Sequence, residues 1–588
     1  MNRSCLLGPQ RHKLGICHLF KVSLGTLFTG AAGLMKLSCA VLALAALVAP
    51  GISAQTPGTG AVAGVVLDPS GAAVGNATVT VVDHAIRVER DAATATDGSF
   101  RFSLLPLGTY SITVKATGFT QEDLPAVAVL ASETITVVFK LKLGAGKTVV
   151  EVAEAVDLAQ TQSSTLGRAL DDKKIVSLPL ANRNFSQILA LSPGVVVGIP
   201  NAAAFGKNTQ NVSVNGAKTT ANNFQFDGID ANNLSENSAS GFAPEPGIAI
   251  PAPDTIAEFK VQTAMYDAGY GRSAGANVDI VSRSGSNQFH GELWEFFRND
   301  ALNANDFFLN QNSQPRPVLK QNQFGGTIGG PIRHDKTFFF GSYQGSRQTN
   351  GQAPGALASA FLPPLTDDRS AAALGQIFGG QTGAFGGVAV APNGSNINPV
   401  ALAILNFKLP DGTYAIPTPQ TILPGGVGES IYSIPGKYHE DQFSVNLDHN
   451  FSQADRLAGR YFFSQDSTNQ PFTPFAATVP GWGTTFNAHN GIFVLSEAHT
   501  FNSNLTNLAR FGYTRFNGLQ IGANAVPADS VGMATPTGLP ILPGIQIQGL
   551  FTIGSFGEPF YFQNTNTFVW QDTVSLVRGR HNLRMGGE

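Results

Sequence analysis

The sequence predicts a mainly β protein. It opens with a signal region, followed by a small Ig-like or prealbumin-like β-sandwich and an α+β segment. The first strands of an outer-membrane antiparallel β-barrel come last. Three observations predict this. Turn signals recur about every ten residues between 60 and 143. Short apolar strands and one candidate helix share the stretch from 166 to 283. From Phe289 onward, apolar and polar residues alternate along strands whose connections are alternately short and long. Composition agrees: of 588 residues, only 13% are charged, against about 25% in average soluble proteins. Gly is high at 65, and Phe, at 41, far exceeds Tyr at 10 and Trp at 3. Few charges with many Gly and Phe suit strands that present an apolar outer surface. A net charge of -3 with no basic cluster excludes a nucleic-acid partner.

Residues 1–54 read as a signal region. Met35-Lys36 precedes an apolar run of about a dozen residues, a Pro50-Gly51 break and Ile52-Ser53-Ala54. Cleavage is expected after Ala54, and Met35 is the expected start. The run falls short of the roughly 20 residues a helical span needs. Cys5, Cys17 and Cys39 all lie in this region. The rest of the chain therefore has neither a disulfide framework nor a Cys-ligated metal.

Residues 55–143 form one unit of short strands. Val62–Leu67 leads into the turn Asp68-Pro69-Ser70-Gly71. Ala77–Val82 alternates, Thr96-Asp97-Gly98 turns into Ser99–Ser103, Leu107–Lys115 alternates again, and Ile135–Leu143 closes the unit. The succession Gly-x-Val, Pro-x-Gly, Ala-x-Val, Thr-Asp-Gly-x-Phe and Leu-x-x-Gly-x-Tyr-x-Ile resembles the carboxypeptidase regulatory-like domain. That domain is not a peptidase, and no metalloprotease site stands here.

Residues 144–165 are a linker carrying one β-prone stretch, Lys147–Val152. An extended peptide of this kind can add to a sheet edge by main-chain hydrogen bonds. The stretch resembles the TonB box, with Thr148, Val149, Val150, Glu151 and Val152 as the coupling candidates. In residues 166–283, Phe185–Leu191 reads as a helix stopped by Ser192-Pro193-Gly194. Then come Val212–Gly216, Asn222–Asp230, Ile256–Gln262 and Gly275–Val281. Their order resembles the plug domain of TonB-dependent receptors. Ser282–Gly291 looks like the Oar-like subgroup, which also carries the N-terminal sandwich. The plug-loop candidates are Asn222, Asn223, Asp227, Gly228 and Asp230. Asn277–Ser282 is read as the last plug strand, Arg283–Gln288 as the hinge and Phe289–Arg298 as the first wall strand.

Residues 284–588 read as the N-terminal part of a transmembrane barrel, with about nine strands by alternation. In Gln442–Phe451, Phe443, Val445, Leu447 and Phe451 share one face, and Gln442, Ser444, Asn446, Asp448 and Asn450 share the other. Pro331–Asp335, Ser452–Asp455, Asn502–Asn504 and Arg578–Arg580 are short turns. The connections near 299–322, 344–440, 465–490 and 517–565 are long and read as structureless external loops. Nine strands cannot close, and an open edge in lipid leaves main-chain groups unpaired. The wall is therefore expected to continue past Glu588, towards the roughly 22 strands of outer-membrane transporters.

Catalytic motifs fail on context. Gly144–Thr148 ends like a P-loop but lacks the first glycine of that motif, where Leu141 stands. Gly271–Gly275 fits a nucleophile elbow but sits between two plug strands. The ten histidines include no pair at metal-ligand spacing. No enzyme, cofactor or metal is expected. The resemblance implies a receptor or transporter of the cell outer membrane, with its sandwich in the periplasm. A TonB-type energy-coupling protein, outer-membrane lipid and an extracellular substrate would be its partners. Sugar polymers, peptides and chelates all remain open as substrates. A binding or adhesion protein without active transport is the alternative.

Overall fold

The computed structural model describes residues 58–144, 147–149, 166–178, 180, 182–197, 205–207, 212–233, 250–266, 269–271, 273–311, 313–383, 386–472, 478–524, 526–534, 541–554, 560–578 and 581–588. The signal region and the coupling candidates Val150, Glu151 and Val152 lie outside them.

Seven strands build the sandwich: β1 (Gly60–Leu67), β2 (Thr78–Asp83), β3 (Glu89–Ala93), β4 (Ser99–Leu105), β5 (Gly108–Lys115), β6 (Gln121–Val129) and β7 (Thr134–Lys140). One sheet runs β4-β1-β7. The other runs β3-β2-β5-β6 and takes β8 (Lys147–Val149) as its outermost strand. Alternating residues of the two sheets, among them Val79, Val81, Phe100, Phe102, Ile112 and Phe139, bury one core between them. Asp68 holds the first turn by accepting from the Ser70 and Ala72 amides at 2.8 and 2.9 Å.

The plug segment follows as β9 (Leu166–Asp171), β10 (Val195–Val197), β11 (Val212–Val214), β12 (Asn223–Phe226), β13 (Ile229–Asp230), β14 (Ile256–Ala264) and β15 (Asn277–Ser282). Its main sheet has the order β13-β12-β15-β14-β9, with β12 and β15 parallel. A short helix, Asp172–Ser177, is capped by Asp171. Phe185–Leu191 is helical as expected, wound as a 3-10 helix capped by Asn184 and ended at Ser192. Phe185, Ile188 and Leu189 pack on Phe224, Phe259, Val261 and Ile280 of the sheet.

The wall and its loops supply β16 (His290–Asn299), β17 (Leu319–Arg333), β18 (Thr337–Asn350), β19 (Leu357–Leu362), β20 (Thr421–Ile422), β21 (Gly428–Ser433), β22 (Gly436–Asn450), β23 (Asp455–Gln470), β24 (Thr484–Asn502), β25 (Leu505–Gly522), β26 (Ile545–Ile547), β27 (Phe551–Ile553), β28 (Phe560–Arg578) and β29 (His581–Gly587). Nine of them form one antiparallel sheet, β16-β17-β18-β22-β23-β24-β25-β28-β29. Its concave face holds the plug. Along β22, burial alternates at every residue. Gln442, Ser444, Asn446 and Asp448 face the plug and are buried, while Phe443, Val445 and Leu447 face outward and are exposed. Outward aromatics continue the band across neighbouring strands: Phe443 lies against Tyr461 and Phe463, and Tyr513 against Phe568. That is the dyad pattern of a wall with lipid outside and a polar lumen inside.

The long connections are corrected in two ways. They are shorter than expected, because β18 reaches Asn350, β22 starts at Gly436 and β25 runs to Gly522. They are also not structureless. Residues 351–435 contain β19 to β21 and two capped helices, Ala371–Phe378 and Pro399–Asn406. With parts of the next two long connections they enclose their own core, including Leu362, Leu374, Leu409, Val479, Trp482, Val531 and Phe551. The Trp482 indole donates to the Ala415 carbonyl at 3.1 Å.

Candidate gating site between plug and wall

The stretch Asn222–Asp230 reaches the wall through Phe226, which lies against Phe462, and through the Asp230 carbonyl, which meets Thr514. Asp227 and Gly228, at φ 49° and 81°, make the two-residue turn joining β12 to β13. Two positive φ values in succession are the type I′ requirement, which Asp-Gly meets without a large strain. The Asp227 carboxylate accepts from the Ser282 amide at 3.0 Å and the Ser282 hydroxyl at 2.8 Å. The plug's hairpin is thereby clamped to the last residue of β15, where the hinge to the wall begins. Burial pushes the Asp227 carboxyl up, against the opposing pull of Arg460 and of the Ser282 hydrogen bonds.

The other plug-loop candidates are structural in their contacts. Asn222 donates to the Val212 carbonyl at 2.6 Å and accepts from the Ala276 amide at 2.9 Å. A Cβ on Gly275 would lie 2.4 Å from the Asn222 oxygen, which explains that glycine. Asn223 and Asn277 bond side chain to side chain at 3.1 Å across β12 and β15. Asp230 accepts from the Asn232 amide at 2.8 Å, and its carbonyl accepts from the Thr514 hydroxyl of the wall at 3.2 Å. Ser273, the would-be nucleophile of the elbow motif, donates to the Ala221 and Ala276 carbonyls and so holds a turn.

The wall answers with Asp448, which the sequence places on the polar face of its strand, and with arginines not anticipated from the sequence. Buried Asp448 accepts from Arg456 at 2.8 Å and from Arg460 at 2.9 Å. Its second oxygen accepts from the Ser284 hydroxyl of the hinge at 2.8 Å. Asn446 donates to the Arg283 carbonyl at 2.7 Å. Arg510 lies under Gly228, where a Cβ would come within 2.6 Å of its guanidinium. Gly512 leaves room for Ile229, whose side chain would meet a Cβ there at 2.4 Å. These arginines share the inward parity of their strands. Arginine at inward positions of a Ser/Asn/Gln-rich lumen face is the signal that could have revealed them.

Further contacts tie the plug across the concave face. Arg183 pairs with Asp254 within the plug, donates to wall Gln344 at 2.9 Å and lies 4.4 Å over the Phe296 ring. Lys207 pairs with wall Glu440 at 2.6 Å, and Asn182 donates to the Gly206 carbonyl. A cavity of about 400 Å³ opens at the short-turn end, where hinge, sandwich and wall meet around Asp227, Ser284, Asp448 and Arg460.

The sandwich contacts the plug from that same end. Buried Glu258 accepts from the Ala131 amide at 2.9 Å, and Lys260 donates to the Ser132 carbonyl at 2.7 Å and pairs with Glu133 at 3.2 Å. Burial pushes the Glu258 carboxyl up to about 8, with the Ala131 hydrogen bond opposing it. Asp455, Glu497 and His499 come within 4.8 Å of one another on the wall, also near a short turn. The sequence did not show this grouping, because strand pairing creates it.

β8 places Thr148 and Val149 on the sandwich rather than in the lumen, in a parallel ladder with β6.

Sequence comparison agrees with this architecture. Residues 281–588 match the outer membrane beta barrel domain family, 168–278 the TonB-dependent receptor plug domain and 61–142 the carboxypeptidase regulatory-like domain. The chain belongs to the outer-membrane β-barrel family, and its matched plug and N-terminal domain make it a TonB-dependent receptor of the outer membrane. Such receptors are not enzymes. The TonB-dependent transporter Oar of Myxococcus xanthus is 26% identical over 283 residues, 45% of this chain and 24% of that protein. Among solved structures, the transporter YddB from Escherichia coli covers 70% of this chain and 45% of its own, at 10% identity and TM-score 0.43. The ferric enterobactin receptor PfeA from Pseudomonas aeruginosa covers 72% and 48%, at 13% and 0.41. The chain thus spans about a quarter of the curated relative and under half of each of these structures.

Proposed function

We propose that the protein takes up a scarce or large extracellular substrate by energy-coupled displacement of its plug, in the manner of an Oar-like receptor. The observation that carries this reading is how the plug is held. The hinge residues Arg283 and Ser284 and the Asp230 carbonyl meet the wall through hydrogen bonds, Lys207 and Arg283 through ion pairs with Glu440 and Glu292, and Phe226 through an aromatic contact with Phe462. The polar contacts exchange for water when the plug moves, and the apolar patch that joins the plug core to Phe462, Ile492, Val494 and Val569 sets the load needed to part them. Substrate enters from the long-loop end, a TonB-type protein engages residues 147–152 from the periplasm, and tension on the linker withdraws the plug. No bond in the substrate is made or broken. Thr148 to Val152 are the coupling residues and Asn222, Asn223, Asp227, Gly228 and Asp230 the gating residues in this reading. The substrate class stays open among sugar polymers, peptides and chelates. Deleting residues 147–152 in the full-length receptor tests the coupling. Uptake should fall to background while surface binding persists, and undiminished uptake would sink the reading in favour of a passive binding protein.

A further inference from the structure

Near the long-loop end of the lumen, two carboxylates face each other on neighbouring wall strands. Glu440 of β22 stands directly opposite Asp466 of β23. Both point inward, and they are 3% and 4% exposed. Like charges in such a cross-strand pair repel, and burial strengthens the repulsion. The cation set against them comes from the plug. Lys207 pairs with Glu440 at 2.6 Å, and its charge also acts on Asp466. One ammonium thus answers two carboxylates. The acceptors exceed what it uses: among the described residues, Asp466 Oδ2 and the Ser464 hydroxyl on the same face of β23 take no hydrogen bond.

The lysine is held in place by its main chain. Gly206 has φ 58°, and a Cβ there would lie 2.8 Å from the Tyr438 ring. Its amide donates to wall Gln348 at 2.9 Å, while Asn184 of the plug donates to the Lys207 carbonyl at 2.8 Å. Phe205 meets Tyr438 edge to face. The segment is pinned to wall and plug alike, so the ammonium is delivered to one place.

We propose that Glu440 and Asp466 form a recognition site for a cationic side chain of a peptide substrate, and that Lys207 fills it in the resting receptor as a built-in stand-in. This rests on the uptake reading above and names its substrate class. The occupant shows what fits: an alkylammonium carried on a peptide main chain. A guanidinium fits the spare acceptors better still, because it brings five donors in a planar fork and pairs with carboxylates two bonds at a time. An anionic chelate meets repulsion at this pair. Substrate and stand-in exclude each other. A ligand that binds only where Lys207 has left shifts the plug towards release, so recognition and release favour one another.

The test is equilibrium binding to the full-length, detergent-solubilised receptor, which needs no energy source. The probe is a fluorescent Gly-Arg-Gly-Arg-Gly peptide, and its control is the same peptide with citrulline, the neutral isostere of arginine. Lys207→Met removes the stand-in and should tighten binding of the arginine peptide roughly tenfold. Glu440→Gln with Asp466→Asn should weaken it by a similar factor. The citrulline peptide should bind more weakly and respond to neither change. Misfolding cannot produce a gain, so Lys207→Met decides the matter even where the double variant fails to fold. Arginine-peptide binding unchanged in Lys207→Met overturns the site, and an equal response of the citrulline peptide overturns recognition by charge. A glucosamine oligomer that shows the pattern in place of the peptide overturns the peptide class in favour of amino sugars. Peptide uptake that survives deletion of 147–152 defeats the coupled-transport reading and leaves the site standing.

Discussion

The plug is gripped from two sides, and the two grips are chemically different. On the wall side, Asp448 sits between Arg456 and Arg460 and reaches the hinge through Ser284. Arginine stays charged at any ordinary pH, so this grip changes only when residues move. On the sandwich side, Glu258 and Lys260 of β14 hold the main chain of Ala131 and Ser132. Glu258 is held at about 8 by burial, so this grip depends on a proton. The contrast suggests a durable seat in the wall and a releasable one on the sandwich.

Three substitutions can break or sharpen that contrast. The largest effect is expected from Asp448→Asn, which leaves the buried Arg460 and the partly exposed Arg456 without their carboxylate. A loss of about 3 kcal/mol is expected, read as a lowered unfolding midpoint of the detergent-solubilised receptor at every pH. An unchanged midpoint would show that the wall grip is not anchored at Asp448. Gly228→Ala comes next. It places a Cβ at positive φ against the Arg510 guanidinium, with an expected cost of about 1–2 kcal/mol. Looser retention of the plug should follow, seen as faster proteolysis of the plug segment. The smallest effect in acid is expected from Glu258→Gln, and it grows with pH. Because the docked carboxyl titrates near 8 and the free one near 4.5, the docked form keeps a proton that the free form gives up. Docking is therefore strongest below about 4.5, weakens as pH rises and levels off above about 8. The glutamine can still accept from Ala131 and should flatten this slope, measurable as fluorescence transfer between dyes on sandwich and plug from pH 5 to 9. An equal slope in both proteins would locate the titrating group elsewhere.

The lipid-crossing part of the wall was legible because its two faces differ in polarity. β22 shows it residue by residue, and the tight turns Ser452–Asp455 and Asn502–Asn504 carry the residues such turns need. The Asp227-Gly228 turn was legible for the same reason: few residues tolerate that backbone. The far ends of the strands were not. In β18, Gln344, Ser346, Gln348 and Asn350 face inward while Gly345, Arg347 and Thr349 face outward, so neither face is apolar and alternation vanishes. The core within the long loops was hidden because its members, from Leu362 to Phe551, meet only through distant chain segments. The pairing of β8 with β6 was hidden for a different reason. A ladder of main-chain hydrogen bonds leaves little mark on side-chain identity, and Lys147–Val149 would read the same beside any edge.

β17, β22, β23, β24, β25 and β28 run for 15 to 19 residues. At about 3.4 Å per residue and a tilt near 45°, the longest rise roughly 45 Å, against an apolar band of about 25 Å. The surplus forms a collar that lifts the folded loops clear of the lipid headgroups.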